Sequence, residues 1–340
     1  MKKLSLAITT ALSLMMTTSA FAASKAGSPG TEINTQAFLE VLAQDTGLPL
    51  HKRSHQDVRK VLEGAQQGAV LPAADVTKKT IKVNGESIDL VIVKPVNAKG
   101  DLPAFMYFHG GGWVLGDFPT HERLIRDLVV RSGAAAVYVD YALSPEVKYP
   151  TAINQGYAAT KWVAENGKKI GIDGSRLAVA GNSAGGNMAT VISIKAKEAG
   201  TPNIKFQLLL WPVTDSNPNY PSYNEYAQGH FLSSNVMEWM WNNYLETPQQ
   251  RNEIYAAPLR ASVEQLTSLP PALIQVAEKD ILRDEAEAYG RKLNAAGVAV
   301  TVTRYNGMIH DFGLLNPLSN IPAVQDSLDQ AGNALKKHLN

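Results

Sequence analysis

LAVAGNSAGGN, residues Leu177 to Asn187, is the stretch on which the reading of the chain turns. An apolar run from Leu177 to Ala180 leads into Gly181-Asn182-Ser183-Ala184-Gly185, a G-x-S-x-G pattern, and a helix-forming run follows. The spacing has a steric cause. A serine carried on a turn this sharp tolerates no bulky neighbours, so glycines stand two residues away on each side. The hydroxyl then projects above the end of a strand, and the next amides open a helix, where N–H groups lack intrahelical partners. The pattern alone arises by chance about once in ten chains of this length. Its place between strand and helix gives it meaning, and it makes Ser183 a candidate nucleophile.

A nucleophilic serine needs a base, and the base needs an orienting carboxylate. Of seven histidines, His51 and His55 lie in an N-terminal helical section, His121 at a helix start, His230 in a polar insertion and His338 near the tail. His109 sits beside glycines in FHGGGWVLGD. His310, in RYNGMIHDFG, follows the last strand-like run, and loops at the carboxyl ends of strands build the sites of α/β sheets. The acid is expected between Ser183 and His310 in chain order. PALIQVAEKDILRDEAEAYG offers Glu278, Asp280, Asp284 and Glu285. Asp284 reads as a helix N-cap paired with Glu287, Glu285 as a first-turn residue favoured by the helix dipole, and Glu278 as part of the strand. Asp280 is left on the loop.

The triple glycine at Gly110 to Gly112 belongs to neither phosphate-binding pattern. No Lys-Ser/Thr follows at P-loop spacing, and Gly110, Gly112 and Gly116 miss the dinucleotide fingerprint by one residue. Backbone amides held close to a substrate oxygen remain.

Around these motifs the chain alternates strand and helix. Strands are expected at 104–109, 136–140, 177–180, 207–213, 272–277 and 300–305. Helices are expected at 120–131, 151–166, 187–199, 285–296 and 323–339. The strands are apolar throughout, as in a parallel sheet covered on both faces. Asn84-Gly85 between two strand-like runs predicts a hairpin from about Val76. Two short helices before it, over 35–46 and from Ser54 to between Gly64 and Gly68, cannot form a core alone. The polar, aromatic insertion from Thr214 to about 250 is long for a connection between core strands. Together they predict a helical cap.

Four ordered segments, HGGGW (His109–Trp113), GNSAGGN (Gly181–Asn187), DILRDE (Asp280–Glu285) and IHDF (Ile309–Phe312), resemble the hormone-sensitive-lipase family of α/β-hydrolase esterases, and DYALSPEVKYP (Asp140–Pro150) resembles a further family segment. The likeness runs from about Val76 to the end. It implies an α/β-hydrolase fold with a mostly parallel eight-stranded sheet, helices on both faces and a helical cap. The implied domains are 23–75 as N-terminal cap helices and 76–340 as the catalytic domain, with a cap insertion at about 214–250. It implies Ser183 as nucleophile, His310 as base and Asp280 as its partner. The oxyanion hole would use the amides of Gly110, Gly111 and Ala184, with Trp113 and Phe231 in the substrate pocket and no metal or cofactor. The expected activity is hydrolysis of short-chain acyl esters through an acyl-enzyme. The same triad could serve an amidase, lactonase or carbamate hydrolase, and a decayed triad would leave a ligand-binding protein. Three residues depart from the family pattern: Asn182 replaces an Asp, Ile281 a Pro, and Ala142 an Arg.

The 340 residues carry a net charge of +1, which gives no electrostatic reason to expect nucleic acid or an anionic membrane as partner. There is no cysteine, so disulfides and thiol catalysis are excluded. Lys2 and Lys3, an apolar run too short to span a bilayer, and TTSAFA form a leader with an A-x-A cleavage pattern. Residues 1–22 are therefore expected to be a signal peptide, leaving a periplasmic or extracellular protein without a membrane anchor. N-terminal sequencing of the exported protein should begin at Ala23; an intact Met1 would overturn the cleavage.

Overall fold

The computed structural model describes residues 26–83 and 85–340. The expected leader lies outside them. Eight strands form one sheet in the order β1-β2-β4-β3-β5-β6-β7-β8. They are β1 (Ala74–Val83), β2 (Glu86–Pro95), β3 (Leu102–Phe108), β4 (Ala135–Asp140), β5 (Ile172–Asn182), β6 (Ile204–Leu210), β7 (Ala272–Lys279) and β8 (Val300–Ile309). β1 and β2 pair antiparallel from Ala74↔Pro95 to Val83↔Glu86, which is the expected hairpin. β2 also runs antiparallel to β4, and from β4 to β8 every pairing is parallel.

Ten α-helices are present among the described residues. The first two, α1 (Ile33–Leu42) and α2 (His55–Ala65), precede the sheet. Next come α3 (Phe118–Ser132), α4 (Thr151–Asn166) and α5 (Ala184–Ala199). Between β6 and β7 lie α6 (Pro221–Glu225), α7 (Ser234–Tyr244) and α8 (Val263–Leu266). The last two are α9 (Arg283–Ala295) and α10 (Pro322–Leu339). Their ends follow local chemistry. Asp117 and Thr120 close a capping box on α3, whose other end stops at Gly133 with φ of +71°. Ser54 caps α2 through the Asp57 amide.

Side-chain alternation along the strands divides the core. Ala104, Met106 and Phe108 face one layer with α4 and α5, while Phe105 and Tyr107 face the other with α3 and α10. Both faces of the central strands β3, β4, β6 and β7 are buried, as their apolar runs required, whereas the edge strands β1 and β8 are largely exposed. Several boundaries differ from expectation: β5 begins at Ile172 and β8 runs on to Ile309, and two further differences bear on the site. β6 ends at Leu210 rather than Val213, because Trp211 takes a left-handed φ of +37° and turns the chain away. α5 begins at Ala184, three residues early, so Ser183 sits directly between strand and helix.

That junction is packed beyond the tolerance of any side chain but hydrogen. A Cβ on Gly185 would lie 1.9 Å from the Phe108 carbonyl oxygen, and one on Gly181 would lie 2.3 Å from the Gly185 carbonyl group. Gly185→Ala should therefore cost about 3 kcal/mol or prevent folding, because the clash is with backbone. Gly64→Ala, on the exposed side of α2 with nothing within 4 Å, should stabilise by about 0.5–1 kcal/mol. Denaturant unfolding of both variants checks the contrast.

Candidate active site

Ser183 occupies the turn between β5 and α5 with φ of +54° and ψ of −121°. Its amide donates to the Leu210 carbonyl at 2.9 Å, and its carbonyl accepts from Asn187 and Val213, each at 3.1 Å. These bonds fix the backbone and leave the hydroxyl to other partners. His310, on the turn after β8, places Nε2 3.0 Å from Ser183 Oγ and Nδ1 2.7 Å from Asp280 Oδ2. Asp280 Oδ1 accepts from the Leu282 amide at 2.9 Å, which fixes the carboxylate. All three side chains are buried. Burial pushes the His310 imidazole down, but the Asp280 and Asp311 carboxylates and the Asp280 hydrogen bond outweigh it, and the net displacement is upward.

Asp284 is not the expected N-cap. α9 starts at Arg283, and Asp284 accepts from the Ser222 amide at 2.8 Å and from Arg283 Nε at 2.8 Å. Glu285 lies on the first turn as expected, and it is fully buried. It accepts from the amides of Thr214 and Asp215, at 2.7 and 3.1 Å, and so ties the start of the insertion to α9. Burial raises its carboxyl well above the usual range. Ile281, in place of a proline, is buried, and its carbonyl accepts from Ser222 Oγ at 2.6 Å.

The glycine loop corrects one assignment. The Gly110 amide is already used: it donates to Asn182 Oδ1 at 3.0 Å, with His121 Nε2 at 3.2 Å. It holds the loop against β5 and has no donor left for a substrate oxygen. The Gly111 and Gly112 amides have no acceptor among the described residues, and both residues line one pocket with Ser183. The Ala184 amide, first of its helix, likewise has none. Gly112 takes the place of Gly110 among the free donors. The sequence offered no means of ranking three adjacent glycines, since the choice depends on the side chain of Asn182. A Cβ at Gly112 would fall 2.1 Å from Met240 Sδ, so α7 presses directly on this loop. His109 is buried with Nδ1 2.8 Å from the Gly110 carbonyl, and desolvation lowers its pKa to about 4, so it is a neutral structural donor.

The pocket above Ser183 is a narrow, mostly apolar cavity of about 90 Å³. Leu42 and Val58 from the first two helices, and Phe231, Val236 and Met240 from the insertion, form much of its wall. Phe231 therefore lies where expected, on a backbone with φ of +72°. Trp113 does not. It is completely buried, stacked on Tyr244 with ring centroids 4.0 Å apart and planes 2° apart, and tilted against Trp241 at 4.8 Å. Its ring anchors the glycine loop to α7 instead of meeting substrate, because φ of +61° turns it away from the sequence-adjacent glycines.

One group escaped the sequence reading. Asp311, beside His310, has φ of +60° and lines the same pocket. Its Oδ1 accepts from Trp211 Nε1 at 2.6 Å and Asn182 Nδ2 at 3.0 Å, and its Oδ2 lies 3.8 Å from His310 Nε2. Only the family-atypical Asn182 signalled that something here differs.

An eight-stranded, mostly parallel sheet with a serine on the turn after its fifth strand is the architecture of the α/β-hydrolases, and residues 105–314 match the family model described as "alpha/beta hydrolase fold". A thermostable esterase from Pseudomonas putida ECU1011 superposes with a TM-score of 0.91 at 64% identity, covering 93% of this chain and 99% of that one. Carboxylesterase NlhH of Mycobacterium tuberculosis is 36% identical over 272 residues, 79% of this chain and 85% of its own. Ethyl acetate hydrolase of Pseudomonas putida is 35% identical over 239 residues, 69% and 73% respectively. The chain belongs to the α/β-hydrolase family, on its hormone-sensitive-lipase-like branch of esterases.

Because Trp113 is a packing residue, Trp113→Phe should lower stability by about 1–2 kcal/mol while leaving the acyl-chain preference unchanged. Thermal unfolding and a series of nitrophenyl esters separate the two effects.

Proposed function

We propose that the protein is a serine carboxylesterase that cleaves short-chain acyl esters through a covalent acyl-enzyme, with Ser183, His310 and Asp280 as its catalytic residues. The observation that carries this reading is the unbroken chain Ser183 Oγ to His310 to Asp280, at 3.0 and 2.7 Å, beside three amides without acceptors among the described residues. Ser183 Oγ attacks the ester carbonyl as His310 Nε2 takes its proton. The carbonyl oxygen becomes an anion against the amides of Gly111, Gly112 and Ala184. Donors aimed at charge that develops only in the transition state are each worth about 10²–10³-fold in rate. His310 returns the proton to the leaving alcohol, and water repeats the sequence to free the acid. Asp280 holds the imidazole in the tautomer that leaves Nε2 able to accept.

The small cavity and its apolar wall favour short acyl chains, and the likeness to an enzyme named ethyl acetate hydrolase agrees with that preference. A binding protein on the same scaffold would not need a base kept within reach of the serine. Export through the N-terminal leader remains part of the proposal.

Ser183→Ala should lower ester hydrolysis by at least ~10⁴-fold and abolish labelling by a fluorophosphonate; undiminished labelling would refute the nucleophile. Acetate to hexanoate esters should be preferred, and a maximum at long chains would contradict the pocket reading. His310 acts only when neutral, and its pKa is displaced upward. kcat/KM should therefore fall with decreasing pH along a limb centred above the ordinary histidine range near 6.5.

A further inference from the structure

Asp311 is a buried carboxylate that the triad does not require, on the pocket wall beside the reacting atoms. Its two oxygens differ. Oδ1 is saturated by Trp211 Nε1 and Asn182 Nδ2, whereas Oδ2 is turned to His310 Nε2 at 3.8 Å. That separation is too long for a hydrogen bond, so Asp311 acts on the imidazole by charge and does not compete with Ser183 for its proton. Asn182 makes this placement possible. Its carbonyl oxygen accepts from Tyr107 Oη at 2.9 Å and the Gly110 amide at 3.0 Å, while its amide nitrogen donates to Asp311. An Asp at position 182 could accept the first two bonds but would set one carboxylate against another at about 3 Å, where both cannot ionise comfortably. The atypical Asn182 and Asp311 are thus two halves of one arrangement.

We propose that Asp311 is a positioning residue of the reaction: held by Asn182 and Trp211, its free oxygen stabilises the protonated form of His310 at the Nε2 edge, complementing Asp280 at the Nδ1 edge. The inference rests on the Ser183–His310–Asp280 reading. The imidazolium forms in both halves of the acyl transfer, so a fixed negative charge near it lowers both barriers. The other titratable neighbours leave this effect to the two aspartates. Tyr107, on β3, is buried and raised well above its ordinary range, with Arg123 near it. His109 and His121 are pushed down by burial, and Tyr223 is raised beside Glu285 and Asp280. The pocket-lining residues of α1, α2 and α7, such as Leu42, Val58 and Met240, are uncharged.

The test compares the wild type, Asp311→Asn, Asn182→Asp and the exchanged pair Asn182→Asp/Asp311→Asn. The exchange keeps one amide and one carboxylate at the junction but moves the charge from position 311 to 182. The readouts are the pH dependence of kcat/KM on a nitrophenyl ester and of Ser183 labelling by a fluorophosphonate. In Asp311→Asn and in the exchanged pair, the acid limb should move to lower pH by about one pH unit, and kcat on the alkaline plateau should fall several-fold. Asn182→Asp alone should be the most damaged, and the exchange should restore much of its labelling. An acid limb identical in wild type, Asp311→Asn and the exchanged pair would overturn the proposal, whatever happens to kcat. Absence of labelling at Ser183 in the wild type would instead overturn the triad reading, so the two failures are distinguishable.

Discussion

The backbone of Ser183, at φ of +54° and ψ of −121°, carries a local strain of about 1–3 kcal/mol that the surrounding structure must hold. It is held from several sides. The serine amide is bound to Leu210 on β6, its carbonyl supports Asn187 and Val213, and the flanking glycines sit against the backbone of β3 and α5. The turn thus joins three neighbouring strands at their carboxyl ends. Loosening any of them would let the serine relax into an ordinary helix start and lose its approach to His310.

The glycine loop is organised from the same point. Asn182, one residue before the serine, holds the Gly110 amide, so the backbone beyond it turns with Gly111 and Gly112 toward the pocket. Trp113 then clamps the loop to Tyr244 and Trp241 of α7, and Arg59 on α2 donates to the carbonyls of Val114 and Ser144. α2 and α7 therefore both touch the glycine loop. The site is a closed assembly of β5, the glycine loop, α2 and α7.

Buried polar groups are what make this assembly specific. Apolar packing would permit small slips of the loop or the insertion, whereas an unpaired buried donor or acceptor costs about 1–3 kcal/mol. Glu285 against the amides of Thr214 and Asp215, and Asp311 against Trp211 and Asn182, each tie segments distant in sequence to the site.

Sequence by itself determined the fold class and singled out Ser183, His310 and Asp280, which the structure brings within hydrogen-bond reach of one another, because each is encoded locally. Strand–turn–helix with G-x-S-x-G specifies the elbow at Ser183, unbroken apolar strands specify a sheet covered on both faces, and Asp280 and His310 each follow a strand. It could not choose among Gly110, Gly111 and Gly112, whose amides are alike until the side chain of Asn182 claims the first. Nor could it separate Phe231, on the pocket wall, from Trp113, in the core, since both are aromatics beside candidate loops. Asp284 and Glu285 do lie in the first turn of α9, but their partners, Ser222, Thr214 and Asp215, are about 60 to 70 positions away and could not be read locally. Local backbone chemistry is written in neighbouring residues. Which amide is free, which ring is covered and which carboxylate faces the base are decided only when distant segments meet and compete for the same hydrogen bonds.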